Sequence, residues 1–167
     1  IMVGNEDHLE IQVFSCGMDL ENTLNLAIEL DEKIGELLGY AISKKYGYLT
    51  ACPNNVGTGL RASVMVHLPA LSKTKNTKKV LEAINSFGVK STGDMYQISN
   101  KQTLGITEKE IVQNLKVIVD KIIKQERQAR KILAKDDIAL EDLIYRSYGI
   151  LSNCKKISSE EMRSLLS

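Results

Sequence analysis

Residues 60–68, LRASVMVHL, alternate without a slip: Leu60, Ala62, Val64, Val66 and Leu68 fall on one side, Arg61, Ser63, Met65 and His67 on the other. Successive side chains of a strand point to opposite faces, so this run buries one face and presents the other. The second face is polar without being densely charged, the pattern of an antiparallel sheet with one side left for a ligand. Immediately before it stands ACPNNVGTG (51–59), where a cysteine leads into a proline, two asparagines and two glycines.

The remaining segments fit the same architecture. HLEIQVF (8–14) alternates and predicts a half-buried strand. From Asp19 to about Lys45, Leu20, Leu24, Ala27, Ile34, Leu37, Leu38 and Ala41 recur at helical spacing. Asp19 is the expected N-cap and Gly47 the expected stop, with a bend or break possible at Gly35 and Gly39. YLTA (48–51) and MYQISN (95–100) predict strands, LSKTKNTKK (71–79) a polar loop, and KVLEAINSFG (79–88) a short helix closed by Gly88. Thr107 and Glu110 predict a capping box for a long helix with Ile111, Leu115, Ile118 and Ile122 on its buried stripe. Further helices are expected near 139–153 and 158–166. Strands and helices outside a strict βαβ order predict an α+β fold, one antiparallel β-sheet flanked by helices.

Composition narrows the function. The 167 residues suit one domain, and 43% hydrophobic residues without tryptophan predict an aliphatic core. With 22 basic and 21 acidic residues there is no general attraction to nucleic acid or to an anionic membrane. Cys16, Cys52 and Cys154 lack CxxC or histidine-spaced partners, which points to reduced thiols, no metal site and a cytoplasmic protein. The chain starts at Ile1 and enters a strand-like pattern almost at once, as an excerpt of a longer polypeptide would.

On the residues alone, 51–61 supports two readings. Gly57 and Gly59 allow turns in which the N–H groups of 54–59 converge on a carboxylate or phosphate and lower the pKa of the Cys52 thiol. Arg61 then offers a fixed cationic fork to phosphate oxygens. Alternatively this is a glycine turn between strands, with a surface arginine and a half-buried cysteine. A Cys52–histidine dyad is disfavoured, because His8 and His67 come with no third, orienting residue. The lysines at 73, 75, 78 and 79 predict a solvated loop. Lys121, Lys124, Arg127, Arg130 and Lys131 predict a solvated helix face. His67 reads as an ordinary strand residue, and Cys16 and Cys154 as structural or incidental.

YLTACPNNVGTGLRASVMVHLPAL (48–71) resembles the signature of the ATP:guanidino phosphotransferases, the phosphagen kinases and their bacterial relatives the protein arginine kinases. Met65 makes it most similar to the bacterial type. NEDHL (5–9), YQISNKQTLGITEKEIV (96–112) and LEDLIYRSYGILSN (140–153) resemble other parts of the same C-terminal catalytic lobe, in order. The resemblance implies a guanidino kinase/glutamine synthetase-like catalytic lobe over 1–167, without the N-terminal domain, that transfers the γ-phosphoryl of ATP with Mg²⁺ to an arginine guanidinium in a protein substrate. By the same resemblance, Glu6 and Cys52 are catalytic and with Asn55 hold the guanidinium. Arg61, Ala62, Ser63, Val64, Met65 and His8 bind ATP. An activator protein or self-association is the implied partner.

Three departures favour an alternative, a catalytically degenerate lobe acting as a nucleotide- or protein-binding regulatory module. The family's Asn-Glu-Glu becomes Gly4-Asn5-Glu6, so only the second glutamate survives. The family's arginine after Asp-His-Leu is replaced by Glu10, which predicts repulsion of phosphate; restoring arginine there should strengthen ATP binding. Between INSFG and YQISN only VKSTGDM (89–95) stands where the family has a mobile lid. Thr92 falls at the lid arginine, with Lys90 as a stand-in.

Overall fold

The computed structural model describes residues 1–74 and 77–135. Its central sheet has three strands in the order β5–β7–β6, all antiparallel: β5 (Ser63–His67), β6 (Phe87–Thr92) and β7 (Met95–Asn100). Two small hairpins precede it, β1 (Met2–Val3) with β2 (Leu9–Glu10) and β3 (Ile42–Ser43) with β4 (Gly47–Tyr48). The α+β class is therefore as expected, although among the described residues the sheet is small.

The alternation of 60–68 decides which way β5 faces. Val64, Val66 and Leu68 are buried, and Ile98 joins them from β7. Against this face lie Leu20 and Leu24 of α1 (Leu20–Leu38), Ala70 and Leu71 of α2 (Pro69–Lys73), and Ile111, Leu115, Val119 and Ile122 of α4 (Glu108–Lys135). The aliphatic core follows from residues that present one apolar face at period 2 in strands and near 3.6 in helices. The capping box forms as the sequence predicts. The Thr107 N–H donates to Glu110 Oε2 (2.9 Å), and the Glu110 N–H donates back to Thr107 Oγ1 (3.3 Å).

Several boundaries differ from the sequence reading. The strand expected over 8–14 is a ladder only at Leu9–Glu10, since alternation favours an extended chain but a partner strand must complete it. The helix expected to run to Lys45 ends at Leu38, where Gly39 takes φ +65° and its N–H returns to the Gly35 carbonyl. Gly47 sits in β4, not at a helix end, and Leu37 and Leu38 are exposed. The strand expected at 48–51 is Gly47–Tyr48. The helix expected over 79–88 is α3 (Thr77–Glu82), and Gly88 lies inside β6. A β-carbon on Gly88 would stand 2.8 Å from the Ser99 Oγ across the ladder, a contact that a turn of the serine side chain relieves. The helices expected beyond residue 138, and Cys154, lie outside the described residues.

The polar loop expected from Leu71 conceals a helix start. Pro69 opens α2, and its free N–H groups at Ala70 and Leu71 donate to Glu126 Oε1 (3.1 Å) and Oε2 (2.7 Å). Glu126 is buried on α4 and also accepts from Arg130 Nε at 2.8 Å. Arg130 therefore departs from the solvated face expected for it, whereas Lys121, Lys124, Arg127 and Lys131 are exposed. Replacing a buried, fully engaged carboxylate strands its donors and its cation, at a cost of about 3 kcal/mol or more. Glu126→Ala is expected to lose that much stability in urea unfolding, and Glu126→Gln less.

Candidate functional site

The site gathers where the loop between β1 and β2 meets the loop after β4. Asp7 is the joint. Its Oδ1 accepts the Cys52 N–H at 2.8 Å and its Oδ2 accepts Asn55 Nδ2 at 2.6 Å. Burial pushes the Asp7 carboxyl up, but the bonds from Cys52, Asn55 and Ala51, with His8 nearby, outweigh this and leave it below the usual carboxylate range. Charged Asp7 is then fully present at neutral pH, and its contribution is lost as pH falls through that lowered value. Beside it the Cys52 thiol donates to Glu6 Oε1 at 3.0 Å. Glu6, Cys52 and Asn55, singled out in the sequence, thus come together, and Asp7 is the organising residue that sequence reasoning missed. Its position inside NEDHL was the available signal.

The loop of 52–59 does not form the predicted anion nest. The N–H groups of Asn55, Val56, Gly57, Thr58 and Gly59 donate to the carbonyls of Cys52, Pro53, Tyr48, Thr103 and Asn55. Pro53 starts a 3₁₀ turn (Pro53–Asn55), and Thr103 Oγ1 clamps the loop through the carbonyls of Asn54 (3.1 Å) and Val56 (2.8 Å). Gly57 is required by this packing: it has φ +115°, and a β-carbon there would lie 2.2 Å from the Thr103 carbonyl oxygen. The Tyr48–Gly57 bridge ties the loop to β4, whose Tyr48 hydroxyl donates to Asp31 Oδ2 at 2.7 Å. Burial first, then Asp31, drives the Tyr48 phenol well above its usual pKa.

A depressed Cys52 pKa, which one of the two readings of the loop expects, is not what its surroundings give. Its hydrogen bond to Glu6 pushes the thiol up, the Asn54 N–H opposes this, and partial burial with the charges of Glu6 and Asp7 adds to the rise. The Cys52 sulfur is here a donor to the Glu6 carboxylate.

Arg61 is exposed and makes no hydrogen bond or ion pair with a described residue. Met65 and His67 are half-buried on the same strand face. Ser63 shares that face but is covered: it is buried and accepts from Gln97 Nε2 at 3.2 Å. The Ala62 and Val64 side chains point into the core. The Ala62 N–H and carbonyl are both engaged by Asn100. His8 is exposed next to Asp7.

Glu10 is tied into its own loop: its Oε1 accepts from Asn5 Nδ2 (3.0 Å) and from the N–H groups of Glu6 (3.0 Å) and Asp7 (3.4 Å). VKSTGDM forms the closing end of the β6–β7 hairpin. Thr92 pairs with Met95 across a turn of Gly93 and Asp94, so no loop projects there.

Comparison with known proteins agrees with the α+β fold. The model of the ATP:guanido phosphotransferase C-terminal catalytic domain matches residues 1–129. The chain belongs to that family. Within it, the chain is similar to protein-arginine kinases, being 52% identical to that of Halothermothrix orenii and 46% to that of Bacillus pumilus over its whole length. It covers 51% and 49% of these proteins, so it spans about half the length of the curated relatives it matches. Both alignments run over 178 positions against 167 residues here, so some positions of the relatives have no counterpart. Among solved structures, the substrate-free duplicated taurocyamine kinase of Schistosoma mansoni is 38% identical with a TM-score of 0.58, over 65% of this chain and 15% of that one. A lombricine kinase is 36% identical with a TM-score of 0.51, over 74% of this chain and 34% of that one.

Alkylation of Cys52 by iodoacetamide is expected to show a pH midpoint above the ordinary thiol value of about 8.5. Glu6→Gln should bring that midpoint down. A midpoint already at or below the ordinary value in the unsubstituted chain would refute the thiol–carboxylate contact.

Proposed function

We propose that this chain is the catalytic lobe of a protein-arginine kinase, which moves the γ-phosphoryl of ATP to the guanidinium of an arginine exposed on a cytoplasmic protein. The observation that carries the reading is the Glu6–Cys52 pair, held at 3.0 Å by the Asp7 clasp. A guanidinium is a planar cation with N–H donors on its edges, and it suits a carboxylate beside a polarizable sulfur. When the cation arrives it would take over Glu6 as acceptor and favour the thiolate form of Cys52. A guanidinium nitrogen then attacks the γ-phosphorus, the bond to the ADP oxygen breaks, and the proton lost from nitrogen passes to Glu6. Catalysis of this kind is chiefly positioning and charge neutralisation. Arg61, free of protein partners among the described residues, would meet the nucleotide phosphates.

Magnesium would be held by the ATP phosphates and water, with at most one or two protein carboxylates. The acidic side chains of the site are already engaged, Asp7 with Cys52 and Asn55, and Glu10 with its own loop. Free thiols at Cys16 and Cys52 suit a reducing compartment.

The second reading, a nucleotide- or protein-binding module without turnover, is favoured by the tight Gly93–Asp94 turn, which projects no loop between β6 and β7. Two assays separate the readings. By calorimetric titration, residues 1–167 are expected to bind ATP weakly, and Arg61→Ala should abolish it. In a polypeptide of the relatives' full length, Glu6→Gln and Cys52→Ala are each expected to lower arginine phosphorylation by about 10²–10³-fold. Residues 1–167 alone should give no measurable phosphoarginine. ATP binding without turnover in the full-length protein would favour the module. ATP binding indifferent to Arg61 would refute the phosphate assignment.

A further inference from the structure

The side chain of Glu10 is turned back toward the chain that precedes it. One of its oxygens accepts from Asn5 Nδ2, from the Glu6 N–H and from the Asp7 N–H. With the Gly4 N–H to His8 carbonyl bond (3.1 Å) and Gly4 at φ +70°, these contacts set the turn between β1 and β2. Glu6 and Asp7 are the two residues of that turn that reach Cys52, one at its sulfur and one at its amide. A backbone N–H held by a carboxylate is a strong, directional tether. Two consecutive tethered N–H groups leave Glu6 and Asp7 little freedom to swing away.

We infer that Glu10 is a positioning residue, whose carboxylate braces the 5–7 turn and thereby holds Glu6 against the Cys52 thiol. The idea rests on reading Glu6 and Cys52 as the guanidinium site, but its geometry does not involve ATP. It also changes what an arginine at position 10 would do. A guanidinium has no acceptor, so it would face the Glu6 and Asp7 N–H groups as a fourth set of donors. Arginine there would release the turn, whatever charge it offers to a phosphate.

The test reads Cys52 in the chain itself, by iodoacetamide alkylation across pH with folding monitored by circular dichroism. The groups that bear on this thiol are the Glu6 and Asp7 carboxylates and the Asn54 N–H, with His8 beside Asp7. Glu10→Ala is expected to free Glu6, lower the Cys52 midpoint and speed alkylation at pH 8 about threefold or more as the thiolate fraction rises. Glu10→Gln keeps an acceptor oxygen and should stay close to the unsubstituted chain, whereas Glu10→Arg should behave like Glu10→Ala. In a Glu6→Gln background, Glu10→Ala should add little, because the two act through one contact.

A folded Glu10→Ala chain with an unchanged Cys52 profile overturns the assignment. So do equal shifts for Gln and Ala, or full additivity with Glu6→Gln. If the alanine variant does not fold, Glu10→Asp withdraws the carboxylate by one methylene and gives the same two outcomes. Alkylation requires neither nucleotide nor arginine. A missing kinase activity with the expected Cys52 profiles therefore removes the functional reading alone, and unchanged profiles in an active full-length kinase remove the Glu10 assignment alone.

Discussion

The candidate site depends on the two oxygens of Asp7. They bridge segments 45 and 48 residues apart in the chain, one holding the Cys52 amide and the other the Asn55 side chain. The Glu6–Cys52 contact beside it is a single thiol hydrogen bond between solvent-facing side chains, a weak donor on a strong acceptor. Such a bond persists only if the backbones on both sides are already in place. Asp7 supplies that, and its lowered pKa is the electrostatic sign of the hydrogen bonds it accepts.

What stands behind Asp7 is a loop with little freedom left. Its N–H groups are spent on carbonyls of its own turn, of Tyr48 and of Thr103, and Gly57 is needed so that the Thr103 backbone can approach. A glycine-rich loop can cradle an anion or allow close backbone packing, and both uses look alike in sequence. Here packing takes the donors. The N–H groups of 55–59 are bonded within the protein, that of Asn54 faces the Cys52 sulfur, and the loop presents Cys52.

Two of the three departures from the family pattern acquire different physical meanings. Glu10 is not simply a wrong charge at a phosphate site; it is built into the turn that carries Glu6 and Asp7. The short segment before MYQISN is absorbed into a regular hairpin whose ladder runs from Phe87–Asn100 to Thr92–Met95. The first departure holds the turn that carries the Glu6–Cys52 contact. The second removes length with which a lobe could shield that pair from water, and the two pull the functional reading in opposite directions.

Much of the fold was legible in the sequence wherever a local pattern had one physical solution. The alternation of 60–68 set the buried face of β5, the capping box started α4, and MYQISN became β7. The family resemblance named Glu6, Cys52 and Asn55 before any contact was known. Patterns with two local solutions were decided only by tertiary structure. The stretch 8–14 needed a partner strand, Gly39 ended a helix whose periodicity ran on, and Ser63 was covered by Gln97 although its face was open by alternation. The protonation of Cys52, the inward turn of Glu10 and the burial of Glu126 against α2 were not legible at all. Each depends on which groups from distant parts of the chain come within hydrogen-bond reach, and spacing along the sequence carries no record of that distance.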